Sequence, residues 1–183
     1  MADVLLLNPD YIKRYTHLNG SVEEAYMTPF IKLAQDIHLQ QYLGTKLFNK
    51  ILSDVGDSSI SGNYKSLLDT YIRPMLLWWY MVEAIPHFYV KVDNGGLVIR
   101  TSEDTTPISK ADLQREKDLA RDKAQFYTER LITFLCENST LYEEYTANQD
   151  GGIYPERKTY AEAGYEIQGS GSKEYRFIKS LLR

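Results

Sequence analysis

The stretch from Tyr64 to about Val92 is apolar around most of its circumference, with Leu67, Leu68, Tyr71, Ile72, Met75, Leu76, Trp79 and Val82 on its strongest side. A helix with no polar face has to be enclosed by other elements, so this segment is predicted to be the centre of a bundle. Pro74 and Pro86 each remove a backbone donor and crowd the preceding turn, so one or both should kink or divide it. Its most lipid-like run, Met75 to Val82, is bounded by Arg73 and Glu83. That is well below the roughly 20 residues of a membrane span, so no membrane partner is expected.

Amphipathic segments supply the enclosure. A short helix is predicted over Asp10 to Thr16, after Asn8-Pro9. Ser21 and Glu24 have capping-box spacing and should open the next helix, and Thr28-Pro29 is predicted to break it. From Ile37 to Val55, Leu39, Tyr42, Leu43, Leu47, Phe48, Ile51 and Leu52 recur at spacings of three and four, which makes one face core. Gly44 interrupts that pattern and marks either close packing or a helix boundary. Gly56 to Asn63 reads as a loop, Asp93-Asn94-Gly95-Gly96 as a turn, and Leu97 to Thr101 as a short strand. A small β-hairpin or extended loop is therefore expected near 93–106.

Ser109 caps a further helix predicted to reach about Tyr145. Leu113, Ala120, Tyr127 and Phe134 recur every seven residues, with Lys117, Ala124 and Leu131 at the alternate heptad position. Such a stripe needs a partner helix, and Leu113, Ala120 and Tyr127 are taken as candidate interaction residues. The alternating charges from Arg115 to Lys123 read as a solvated face. After Ala147 the character changes. Asn148 to Gly152 is a linker, and the tail beyond it, interrupted by Gly164, Gly169 and Gly171, holds no independent core. It nevertheless carries Tyr154, Tyr160, Tyr165, Ile167, Tyr175 and Phe177, more apolar anchors than a solvated tail keeps. This arm either docks on other subunits or folds back on its own bundle. The expected fold class is thus mainly α: a helical bundle with long central and late helices over 1–147, and an extended C-terminal arm over 148–183.

The search for chemistry returns little. No glycine-rich phosphate loop is present, and His17, His38 and His87 lie far apart in sequence. Cys136 is alone, which excludes an intrachain disulfide, and it is expected to pack as a small apolar residue. Adjacent acids such as Glu23-Glu24 point about 100° apart on a helix and cannot share a proton. No catalytic residue, cofactor or metal is therefore expected. His87, after Pro86, is the histidine that merits inspection. A net charge of −4 with interleaved signs disfavours direct nucleic-acid binding. The first residues lack a basic leader, so no secretory signal is expected. Fifteen tyrosines suit either the edges of a small core or surfaces buried on association.

The stretch Ile37 to Phe48, then Tyr71-Ile72-Arg73-Pro74-Met75-Leu76, then Asp93-Asn94-Gly95-Gly96-Leu97, resembles the head-to-tail connector (adaptor, head-completion) proteins of tailed bacteriophages. The similarity is to those of phages infecting Bacteroidetes, including crAss-like phages, and covers roughly residues 25–145. The resemblance implies a homo-oligomeric ring, dodecameric in that family, beneath the portal protein. The ring would join head to tail, extend a channel through which DNA passes without sequence-specific binding, and present a neck surface to the next tail component. It further implies a virion location after assembly in the host cytoplasm. Two other classes stay open: a helical protein-interaction adaptor of a bacterial host, and a small-ligand-binding bundle with a pocket near Trp78, Trp79 and His87.

Overall fold

The computed structural model describes residues 4–18, 22–93, 96–99, 109–146 and 152–157. Helix α1 (Pro9–Tyr15) is opened by Asn8, whose side chain accepts from the Asp10 N–H at 2.9 Å, with Pro9 in the first turn. Helix α2 (Glu24–Ala34) departs from expectation twice. It starts at Glu24, behind an extended Glu23 that makes no side-chain cap bond, so Glu24 is too early in the helix to close a capping box. Ser21 lies outside the described residues. Pro29 does not break α2 either, because Met27, Ile31 and Ala34 stay buried along one side and Thr28 Oγ1 donates to the Glu24 carbonyl at 3.0 Å. One lost donor does not outweigh that burial.

Two wide π turns interrupt the regular pitch. Gln35–Leu39 joins α2 to α3 (Gln40–Gly56), and Leu68–Ile72 joins α4 (Gly62–Leu67) to α5 (Arg73–Tyr89). Each accommodates an extra residue and so advances the following side chains by about 100° around the axis. The first contains Ile37, which is exposed, and Leu33 just before it is exposed on the side of α2 away from buried Met27 and Ile31. The second delivers Pro74 to the beginning of a new helical segment, where a missing N–H costs least. Pro86 lies inside α5 near its end.

The chain is mainly helical, an α bundle built around α5. Met75, Leu76, Leu77, Trp79, Tyr80, Met81, Val82, Ala84 and Ile85 are all buried, as a helix without a polar face requires. Helix α5 packs along α6 (Lys110–Glu137) and against α2. Ser109 caps α6, its hydroxyl accepting from the Asp112 N–H at 3.1 Å. A short 3₁₀ turn (Ser139–Leu141) and α7 (Glu143–Thr146) then bring Tyr142 and Tyr145 into the core beside α3 and α4. There Tyr142 Oη donates to the Asn63 carbonyl at 3.3 Å, and Tyr64 Oη donates to Glu144 at 2.7 Å.

The N-terminal segment is sealed against both π turns. Leu6 and Leu7 are buried, each contributing on the order of 1.5–3 kcal/mol. Buried Gln35 brackets the backbone, accepting from the Leu6 N–H at 2.7 Å and donating to the Val4 carbonyl at 3.2 Å. Arg73 Nε donates to the Leu6 carbonyl at 3.2 Å while its guanidinium also pairs with Asp69. Backbone strands β1 (Val90–Asp93) and β2 (Gly96–Ile99) pair antiparallel, Val90 opposite Ile99. Most of the expected 93–106 segment lies outside the described residues. Among those described, no helix is long and apolar enough to cross a membrane.

Candidate assembly site

The heptad stripe of α6 finds its partner inside the same chain. Ala120, Ala124, Leu131 and Leu135 are buried, while Leu113, Tyr127 and Phe134 are half-buried against the core. Ala120, a candidate interaction residue, is 4% exposed and covered by its own chain. Leu113 and Tyr127 keep only an edge. The large apolar residues that α6 turns outward are Leu119 and Phe126, at 44% and 62% exposure and seven residues apart. Leu119 falls within the charged run from Arg115 to Lys123 that reads as a solvated face, and Phe126 lies just past it. Their own spacing carried the missed signal.

Phe126 borders a groove of about 460 Å³ lined by Trp78, Asp122, Lys123 and Tyr127. Lys123 Nζ sits 4.1 Å from the Trp78 ring centroid, a cation–π pairing that stiffens one wall. Phe126 and Tyr127 meet edge to face at 5.3 Å. A second hollow of about 360 Å³ lies against α1, between Tyr11, Tyr15, Arg14 and Arg73, and Tyr15 is 56% exposed. Aromatic rings with adjacent cations, half in water, are the composition of protein contact surfaces.

A second feature lies at Gly44, where α3 is broken by a φ of 73° and ψ of 158°. That conformation is essentially restricted to glycine. In an unbroken helix the Thr45 N–H would donate to the carbonyl four residues back, that of Gln41. Residues 152–157 occupy the gap as an extended strap. Thr45 N–H donates to the Ile153 carbonyl at 3.1 Å, and the Gln41 carbonyl accepts from Glu156 N–H at 2.8 Å. Ile153 N–H adds a bond to Thr45 Oγ1 at 2.8 Å. Pro155 closes over the glycine so tightly that a Cβ on Gly44 would stand 2.8 Å from Pro155 Cδ. Close packing and helix boundary, alternatives in the sequence, are one feature here.

The arm therefore begins on its own bundle, and Arg157 lies 5.1 Å from the Tyr145 ring centroid. Tyr154 projects away at 66% exposure. Tyr160, Tyr165, Ile167, Tyr175 and Phe177 lie outside the described residues.

The polar interior is centred on His38. In the first π turn, His38 stacks on Trp79 with centroids 3.9 Å apart and an interplanar angle of 8°, and its Nε2 meets Glu83 at 2.8 Å. Trp79 Nε1 donates to Thr128 Oγ1 at 3.0 Å, and Thr128 Oγ1 donates to the Ala124 carbonyl at 2.7 Å. His87 is exposed and stacks on Phe30 at 4.7 Å. Trp78, Trp79 and His87 thus point to three different neighbours: the Lys123 groove, Thr128 of α6, and Phe30 of α2. Cys136 is exposed, contrary to its expected burial, with Sγ 3.9 Å from Tyr145 Oη. Among the described residues no three His, Cys, Asp or Glu side chains are grouped to hold a metal ion.

These features define a helical bundle protein with an exposed aromatic face and a strapped helix break. The chain belongs to a family of unknown function, DUF6712, whose model matches residues 39–154, well over half its length. That span contains Gly44 and the first residues of the strap, and so crosses the boundary drawn at 147/148 from composition. No curated protein and no solved structure matches the chain.

Proposed function

We propose that this chain is a structural virion subunit that assembles into a ring beneath the portal of a tailed phage, joining head to tail and lengthening the DNA channel. The observation that carries its self-assembly is the outer face of α6, where Leu119 and Phe126 stay uncovered beside the Trp78 groove. The head-to-tail identity rests on the resemblance of residues 37–48, 71–76 and 93–97 to connector proteins. Heterologous contacts around a closed rotation need two different faces per subunit. The α6 face and the exposed Leu33 and Ile37 at the first π turn supply two candidates. Weak contacts repeated around a ring and onto a portal add to a stable assembly. The arm residues Tyr160, Tyr165, Ile167, Tyr175 and Phe177 are proposed to meet the portal, an adjacent subunit or the next neck protein. Electron microscopy of the purified protein, alone and mixed with its portal, tests the reading: rings or portal-bound rings are expected. Monomers under both conditions overturn it.

The Trp78–Phe126 groove favours one second reading, a small apolar ligand held by the bundle. A ligand-dependent rise in Tm, abolished by a bulky polar residue in place of Trp78, would separate that reading from assembly.

A further inference from the structure

We infer that the gap in α3 at Gly44 is an exchangeable peptide slot, in which the strap 152–157 and the helix's own hydrogen bond compete for the same two backbone groups. Filled, the slot accepts an extended segment that presents a carbonyl and, three residues later, an N–H, with a proline packed close to the glycine between them. Ile153-Tyr154-Pro155-Glu156 meets each requirement, at 3.1 Å for the carbonyl, 2.8 Å for the N–H, and through the contact of Pro155 with Gly44. Empty, the slot closes by returning Thr45 N–H to the Gln41 carbonyl, so that α3 runs straight and Gly44 relaxes to helical angles.

The filled state is favoured by only a few local contacts. Departure of the strap gives up the three hydrogen bonds at the gap and the Arg157 contact with Tyr145, but the residues involved in those bonds are only partly buried, and water replaces most of what they lose. The helix regains one internal bond and sheds a conformation that costs it regularity. Ile153 and Tyr154 are 50% and 66% exposed, so little apolar burial opposes release. Release also frees the root of everything from residue 158 onward, whose point of departure the filled slot fixes beside Tyr145. The slot therefore acts as a latch on the arm, independently of whether the assembled object is a phage ring.

Backbone amide exchange by NMR on the full chain tests this in wild type, Gly44→Ala and Glu156→Pro. Alanine at 44 excludes the filled state through its φ and its Cβ, and Glu156→Pro removes the strap's donor while leaving every residue of α3 in place. In wild type the amides of Thr45, Ile153 and Glu156 are expected to be protected. In both variants exchange of Ile153, and in Gly44→Ala also of Glu156, should accelerate by about tenfold or more, as for local opening, while Thr45 stays protected. Loss of Thr45 protection together with the strap would overturn the inference, since the helix would then not have closed. A strap that stays protected in both variants would overturn it equally. Should Gly44→Ala unfold the chain, Glu156→Pro decides by the same pattern.

Discussion

Trp79 and Thr128 form a buried indole-to-hydroxyl bond between α5 and α6, and Thr128 has no exposed surface at all. Thr128→Val keeps the shape and removes the acceptor, leaving the indole N–H buried and unpaired. A loss of about 1–3 kcal/mol in chemical denaturation is expected, because an orphaned buried donor bears its full desolvation cost. Unchanged stability would mean that the indole finds another acceptor. The tyrosines supply a second prediction at this scale. Burial pushes the Tyr145 hydroxyl up to about 12, with the neighbouring Cys136 adding to the shift. Tyr80 is raised by burial alone, and Tyr64 by burial and its bond to Glu144. Tyr142 and Tyr11 are raised chiefly by burial. A folded-state pKa above the unfolded value of about 10 means that the folded chain holds these protons longer. Stability from this source is complete below pH about 10 and is lost as pH rises through about 12. Phenolate absorbance of these buried tyrosines should accordingly rise in a late phase, above pH about 10 and coincident with unfolding. A single phase near pH 10 would contradict these burials.

Helices explain why some of this was readable and some was not. The fully apolar run over 64–92 had to be central wherever its ends fell, and the heptad over 113–134 had to meet a helix. Which helix it met could not be read, because α5 of the same chain and α5 of another subunit satisfy the same pattern equally. The π turns were invisible for a different reason. Regular periodicity presumes a constant pitch, and the extra residue of a π turn over 35–39 leaves the composition unchanged while it shifts the register of the residues that follow. Gly44 announced a break, but its occupant lies more than a hundred residues away in sequence, beyond any local signal. The first π turn also positions Gln35, whose amide brackets the N-terminal segment. Gln35→Ala should leave the Leu6 N–H without its partner and cost about 1–3 kcal/mol, with proteolytic cleavage before Asn8 appearing at protease levels that spare wild type. Equal resistance in the variant would show that burial of Leu6 and Leu7 suffices alone.

At the scale of the whole molecule, folding and assembly draw on adjacent residues of one helix, and that adjacency makes them separable. Leu119 and Phe126 point outward from α6, while Ala120 and Ala124 point into α5's side of the core. Replacing Leu119 and Phe126 together by serine removes side chains that the isolated chain leaves 44% and 62% exposed, so the unfolding free energy should fall by no more than about 1 kcal/mol per site. If these side chains are subunit contacts, sedimentation should show self-association lost, because truncating aromatic anchors at a contact centre removes a disproportionate share of the binding energy. Ala120→Leu must behave in the opposite way: the added volume enters a close-packed interface between α5 and α6 and should cost about 1–3 kcal/mol of chain stability before any question of association arises. A double serine variant that assembles like wild type would move the contact surface away from α6 and leave the first π turn, with Leu33 and Ile37, as the face to test. One that loses stability instead of association would mean that α6 has been placed with the wrong side toward the core.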